Sequence, residues 1–144
     1  MKAMILFGLL LGVTQAFASD DGDALVRSGL AGTWAQDCAA PPKDGNWYDR
    51  YEVTKGGEVT ETLYNSGEKI FRASKIYAVH ILSSDRLAYS MHDADGETLD
   101  LVVQMDGKRH RTWSSRGDKG KMYIDQGKLV SDGSEGTWFT KCER

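Results

Sequence analysis

The chain has 144 residues, 40% of them hydrophobic, with 18 basic against 21 acidic side chains and a formal charge of −3. That length fits one domain, and the acidic balance excludes the basic footprint that nucleic-acid binding requires. Two cysteines without a CxxC, and without a histidine at ligand spacing, exclude the common structural zinc patterns.

The N-terminus reads as an export signal. Met1-Lys2-Ala3 is a short basic start, Met4 to Val13 is apolar, and Ala16-Phe17-Ala18 has the small-x-small form of a cleavage site. The apolar run is shorter than the roughly 20 residues a spanning helix needs, so the protein is expected in the periplasm and not as a membrane-spanning one. Cleavage near Ala18 leaves 17 basic and 21 acidic residues, a charge of −4. The expected organisation is a signal peptide over 1–18, a lead-in segment over 19–30 and one β-barrel domain over 31–144.

Asp20 to Leu30 can form a short helical turn with Leu25, Val26 and Leu30 on its apolar side. From Gly32 onward, short runs rich in Val, Ile, Tyr, Thr and Trp alternate with Gly, Asp and Asn. Strands are predicted near 32–38, 47–54, 57–64, 68–82, 86–92, 97–105, 108–115, 120–125 and 136–142. A turn at Gln126-Gly127 makes 128–130 a candidate tenth. Lys55-Gly56-Gly57, Asn65-Ser66-Gly67 and Asp106-Gly107 supply residues that tolerate the positive φ of tight hairpins. The fold class is all-β: an antiparallel up-and-down barrel of about 8–10 strands with one disulfide.

Two faces stand out within the runs. Leu99, Leu101, Val103 and Met105 form a uniformly apolar one. Ile70, Arg72, Ser74 and Ile76 form a mixed one, suited to a barrel interior with a cavity or to polar residues near a mouth. In the segment after Asp106-Gly107, Lys108 and His110 share the face of Leu101 and Val103, while Arg109, Arg111 and Trp113 share the other. A two-residue Asp106-Gly107 turn sets Val103 opposite His110 and Gln104 opposite Arg109.

The motif G-T-W-x-x-x-C occurs at Gly32–Cys38 and again at Gly136–Cys142. In an exported chain the two cysteines are expected to pair, closing a loop of roughly 100 residues worth about 4.7 kcal/mol on the chain-entropy model. Each cysteine comes at the far end of its strand, and a disulfide needs Cα atoms within about 7 Å. The bridge therefore requires terminal strands that run parallel, with an odd strand count, or a cysteine that has already left its strand. Trp34 and Trp138 are expected in the core at a barrel end.

Gly32-Thr33-Trp34, after Leu30-Ala31, resembles the G-x-W signature of the first strand in lipocalins and their calycin relatives. The resemblance implies a Trp34 that plugs the closed end of the barrel under a basic side chain from a late strand. The closing T-W-F-T-K-C makes the chain look similar to small bacterial periplasmic proteins with a lipocalin-like barrel and no defined function.

No catalytic constellation is visible: His80, His92 and His110 lie on separate runs, and no serine sits in a G-x-S-x-G context. Asp93-Ala94-Asp95-Gly96 begins like a calcium loop, but position twelve is Gln104, and a hairpin turn explains it better. No metal, cofactor or enzymatic activity is expected. The candidate ligand or partner residues are Arg72, His110, Arg111, Trp113, Trp47 and Tyr51. The expected role is a non-catalytic binding protein that holds a small, partly apolar molecule in the barrel mouth. The alternative is a module that binds an envelope protein, such as an inhibitor of an envelope-directed enzyme.

Overall fold

A computed structural model describes residues 20–65 and 70–143, with backbone only for Phe71. The expected leader over 1–18, its cleavage site and most of the Asn65-Ser66-Gly67 turn lie outside the described residues. Helix α1 (Asp20–Ser28) is followed by strands β1 (Gly32–Ala35), β2 (Tyr48–Val53), β3 (Val59–Tyr64), β4 (Ile70–Ser83) and β5 (Arg86–His92). Then come β6 (Thr98–Asp106), β7 (Arg109–Gly117), β8 (Met122–Asp125), β9 (Lys128–Leu129) and β10 (Phe139–Lys141). Strands β1 to β7 pair in chain order, and β10 closes the ring by pairing with both β7 and β1. The result is a closed antiparallel eight-stranded barrel. The β8–β9 hairpin extends from β7 outside the ring.

This closure corrects the parallel alternative for the terminal strands. Strands β1 and β10 are antiparallel, with Trp34 opposite Lys141. An odd count is unnecessary because antiparallel closure takes an even number of strands, here the eight of the ring. The disulfide Cys38–Cys142 forms because Cys38 has left its strand: β1 ends at Ala35, and the Cα atoms come within 5.4 Å.

The helix fastens the longest strand. Strand β4 pairs with β3 through its first half and with β5 through its second, changing partner at Ile76. Just beyond lies Ala78, at φ 54°, a conformation that costs an L-residue energy unless its surroundings impose it. Asp21 of α1 supplies the constraint: its carboxylate accepts hydrogen bonds from the Ala78 and Val79 amides at 3.2 and 2.8 Å. Leu25, buried on the same helix, joins the core with Leu30, Trp34, Val59, Ile76, Leu87 and Met91.

Strand alternation holds, with shifts at the bulges. His110 turns inward with Leu101, Val103 and Met105, whose face it shares. The turn, however, is Gly107-Lys108, with Gly107 at φ 61°, so Met105 opposes His110 and Gln104 opposes Arg111. The pairing moves by two residues, which preserves side-chain direction. On β4, Ser74 and Ile76 are buried and Arg72 is half-buried. Ile70 departs from that face, 61% exposed, because the register shifts between Leu63 and Tyr64. Asp93 Oδ1 accepts from the Asp95 and Glu97 amides at 2.9 Å, so the calcium-like segment is a hairpin turn.

Candidate functional site

The structure places five of the six candidate residues in two regions, leaves Trp47 outside both, and adds a third region that includes none of them. The first region is the barrel interior. Strand pairing aligns Asp49 with Leu63 and Arg72, and Tyr51 with Glu61 and Ser74, on three adjacent strands. Arg72 donates to Glu61 at 2.7 Å, and the Tyr51 and Tyr89 hydroxyls meet at 3.2 Å. Asp49, Glu61 and Ser74 are buried, whereas the Arg72 side chain retains 23% exposure and links the cluster to solvent.

Two carboxyl groups and one guanidinium do not balance in a low-dielectric interior. Burial, and then the neighbouring Glu61 charge, push Asp49 well above the usual carboxylate range, so Asp49 carries the proton. Burial opposes the charge on Arg72, but the Glu61 carboxylate reverses that effect and holds the guanidinium firmly protonated. Burial also raises Tyr51 and Tyr89, keeping both phenols neutral. Among the described residues, Asp49 Oδ1, Glu61 Oε2, Arg72 Nε and Ser74 Oγ have no hydrogen-bond partner.

His110 is also interior and 3% exposed, with neither ring nitrogen partnered. It stacks on Phe139 at 5.4 Å and meets Trp34 and Tyr51 edge-on at 4.6 and 5.8 Å. Burial lowers its pKa to about 3, so it is neutral at physiological pH. Trp34, 1% exposed, donates from Nε1 to Leu30 O at 2.8 Å. Lys141 lies over the ring with Nζ 5.1 Å from its centre and donates to Gly29 O at 2.7 Å. Gly32 admits this arrangement: it sits at φ 130°, and a Cβ there would stand 3.1 Å from Lys141 Cε.

The second region is an outer ladder. Arg109, Trp138, Arg111, Trp113 and Arg86 alternate, with guanidinium-to-ring distances of 4.8, 4.7, 5.5 and 4.3 Å along the series. Each arginine also meets an acid: Arg109 with Asp106, Arg111 with Glu135, and Arg86 with Asp85. This corrects the placement of Trp138 in the core. Its residue precedes β10, and its half-buried ring is held between arginines on the outside of the barrel. Stacking between charged, acid-paired side chains gives the ladder a structural character.

The third region is a groove of about 690 Å³ where β2 begins, β3 ends and β4 begins. Pro41, Pro42, Tyr48, Arg50, Thr62, Tyr64 and Ile70 line it. Its shape follows from register. Arg50 lies between Thr33 and Thr62, so small side chains flank a long one, and Tyr48 stands opposite Tyr64 with ring centres 5.5 Å apart. The prolines come from the loop after β1, which Asn46 pins down. Asn46 Oδ1 accepts from the Asp37 amide at 2.9 Å, and its Nδ2 donates to the carbonyls of Asp37, Ala40 and Pro41 at 3.0–3.2 Å. Tyr48 adds a hydrogen bond to Ala40 O at 2.7 Å. Burial, and then the neighbouring Tyr64, raise the Tyr48 pKa, so its ring is neutral.

Trp47, Tyr48 and Tyr51 therefore do not form one patch. Tyr51 points into the barrel, Tyr48 lines the outer groove, and Trp47 is half-buried at the end of the loop. Sequence reasoning misses Arg50, Tyr64 and Asn46. The signal that could have found the first is alternation itself, which places Tyr48 and Arg50 together on one face of β2. Among the described residues, no group of three or more His, Cys, Asp or Glu side chains is placed to hold a metal ion, and no helix is long and apolar enough to cross a membrane. Comparison with protein-family models, curated proteins and solved structures finds no match to this chain.

Proposed function

We propose that this chain is a non-catalytic, exported binding protein that holds a small, partly apolar molecule in the groove at the β2–β3–β4 rim. The observation that carries the reading is the groove: its volume falls within the roughly 300–1,000 Å³ typical of small-molecule sites. Its walls combine apolar and aromatic surface with a few polar groups, the usual composition of such sites. The barrel lumen is the weaker location, because Trp34, Tyr51, Tyr89, Met91, Leu101 and Val103 occupy its inward positions. Export is supported by the long-range disulfide, since such bonds persist in oxidising compartments. Trp34 beneath Lys141 supports a likeness to the lipocalin-like proteins named above.

A second reading, a docking surface for an envelope protein, draws on Ile70 standing exposed at the groove's edge. Native mass spectrometry of the protein purified from its own host separates the two. The expected result is a small adduct on the wild type that Tyr64→Ala loses, with the fold intact by circular dichroism. An adduct retained equally by both proteins rules out the groove. A co-purifying protein that depends on Tyr64, with no small adduct, selects the second reading.

A further inference from the structure

Arg50 differs from the arginines of the other two regions. Arg72, Arg86, Arg109 and Arg111 each meet a carboxylate. Arg50 meets none among the described residues. Its guanidinium lies 5.5 Å from the Tyr64 ring centre, with one weak hydrogen bond to the Tyr64 hydroxyl at 3.3 Å and Nε unpartnered. Strand pairing to Thr33 and Thr62 holds its backbone in place. Within the groove it is the charged member of a set otherwise made of two prolines, two tyrosines, a threonine and an isoleucine.

We infer that the groove selects aromatic carboxylates: an anionic head paired with Arg50 and a flat apolar body between Tyr48, Tyr64 and the Pro41-Pro42 wall. This inference rests on the groove being the binding site and adds the ligand's chemical class. An arginine presents a planar set of donors that matches a carboxylate in two-point contact. The same guanidinium lies over the Tyr64 ring and makes one weak bond, from Nη2 to the Tyr64 hydroxyl, so an anion would be taken up at its Nη end while the tyrosines offer faces and edges to an aromatic body. A cationic aromatic would meet like charge at Arg50. A neutral aromatic would gain the stacking alone.

The test uses three small probes of similar size: phenylacetate, 4-methylphenol and phenethylammonium. Binding is followed through the backbone amide resonances of Tyr48, Arg50, Thr62 and Tyr64. Phenylacetate is expected to shift these resonances saturably, at least about tenfold more tightly than phenethylammonium, a difference of about 1.4 kcal/mol. Arg50→Gln should remove that preference while leaving 4-methylphenol binding within about twofold, which also shows that the variant is folded and its groove intact. If phenethylammonium binds as well as phenylacetate, or Arg50→Gln leaves the preference in place, the carboxylate assignment is wrong while the groove stands. If none of the three probes perturbs these resonances, both the assignment and the groove reading fail.

Discussion

At the scale of single residues, the uncommon feature is a barrel interior that mixes large apolar side chains with Asp49, Glu61, Arg72 and His110. Breaking a buried ion pair from one side leaves an uncompensated charge, so Arg72→Met is expected to destabilise the protein by about 3–5 kcal/mol in chemical denaturation. Asp49→Asn has the opposite tendency at pH values above the raised folded pKa of Asp49. The folded-state pKa of Asp49 lies above its unfolded value, so its contribution is fully present below about pH 3.9 and is lost as pH rises through the folded pKa. The asparagine cannot ionise and should therefore remove the downward slope that Asp49 contributes above about pH 3.9. An unchanged profile would show that Asp49 does not hold its proton.

At the scale of elements, much is legible in the sequence itself. Clusters of β-branched and aromatic residues between Gly, Asn and Asp turns mark nine strands and a candidate tenth. Alternation puts His110 on the face of Leu101 and Val103 and Arg72 on that of Ser74 and Ile76, without saying which faces look inward. Three things are hidden from it. The Asp106-Gly107 turn lies one residue earlier than the true one, because either placement leaves Gly107 available for a positive φ. The direction of the terminal strands is ambiguous because a cysteine three residues past Ala35 is not bound by strand geometry. The groove is invisible because its walls come from one loop and three strands that only pairing brings together. Asn46 illustrates the last point: in the sequence it is one more turn residue, yet it fixes the loop carrying Pro41 and Pro42. Asn46→Ala is expected to cost about 1–3 kcal/mol, since it strands a buried hydrogen-bond set. It should also weaken phenylacetate binding without touching a lining residue. The disulfide acts on the same segment, and Cys38→Ser is expected to lower stability by about 2–5 kcal/mol, read as a lower melting temperature. Equal melting of oxidised and reduced protein would contradict this.

For the whole molecule, Asp49 and His110 set opposing pH dependences, and their balance is a measurable property of the closed barrel. Enclosure by β1, β7 and β10 keeps His110 neutral; its pKa falls from about 6.5 in the unfolded chain to about 3. The stability it contributes is present above about pH 6.5 and is lost as pH falls toward 3. That amounts to about 1.4 kcal/mol per pH unit across the window. Asp49 acts with the reverse sign: between about pH 4 and its raised folded pKa, the folded protein holds a proton that the unfolded chain has released. Each group alone therefore tilts the profile by up to about 1.4 kcal/mol per pH unit, in opposite directions, where their windows overlap above about pH 4. In the wild type the two slopes offset one another there, and urea denaturation should give a shallower profile than either single variant. His110→Phe, a ring replacement beside Phe139 and Trp34, removes one side of the balance and should make stability fall with rising pH. Asp49→Asn removes the other side and should make it rise. The double variant should return to a shallow profile, because the residues lie on different strands of the same interior and their titrations offset one another. If both single variants keep the wild-type profile, the barrel is wet enough at these sites that neither group is perturbed, and its closed interior does not govern the protein's response to pH.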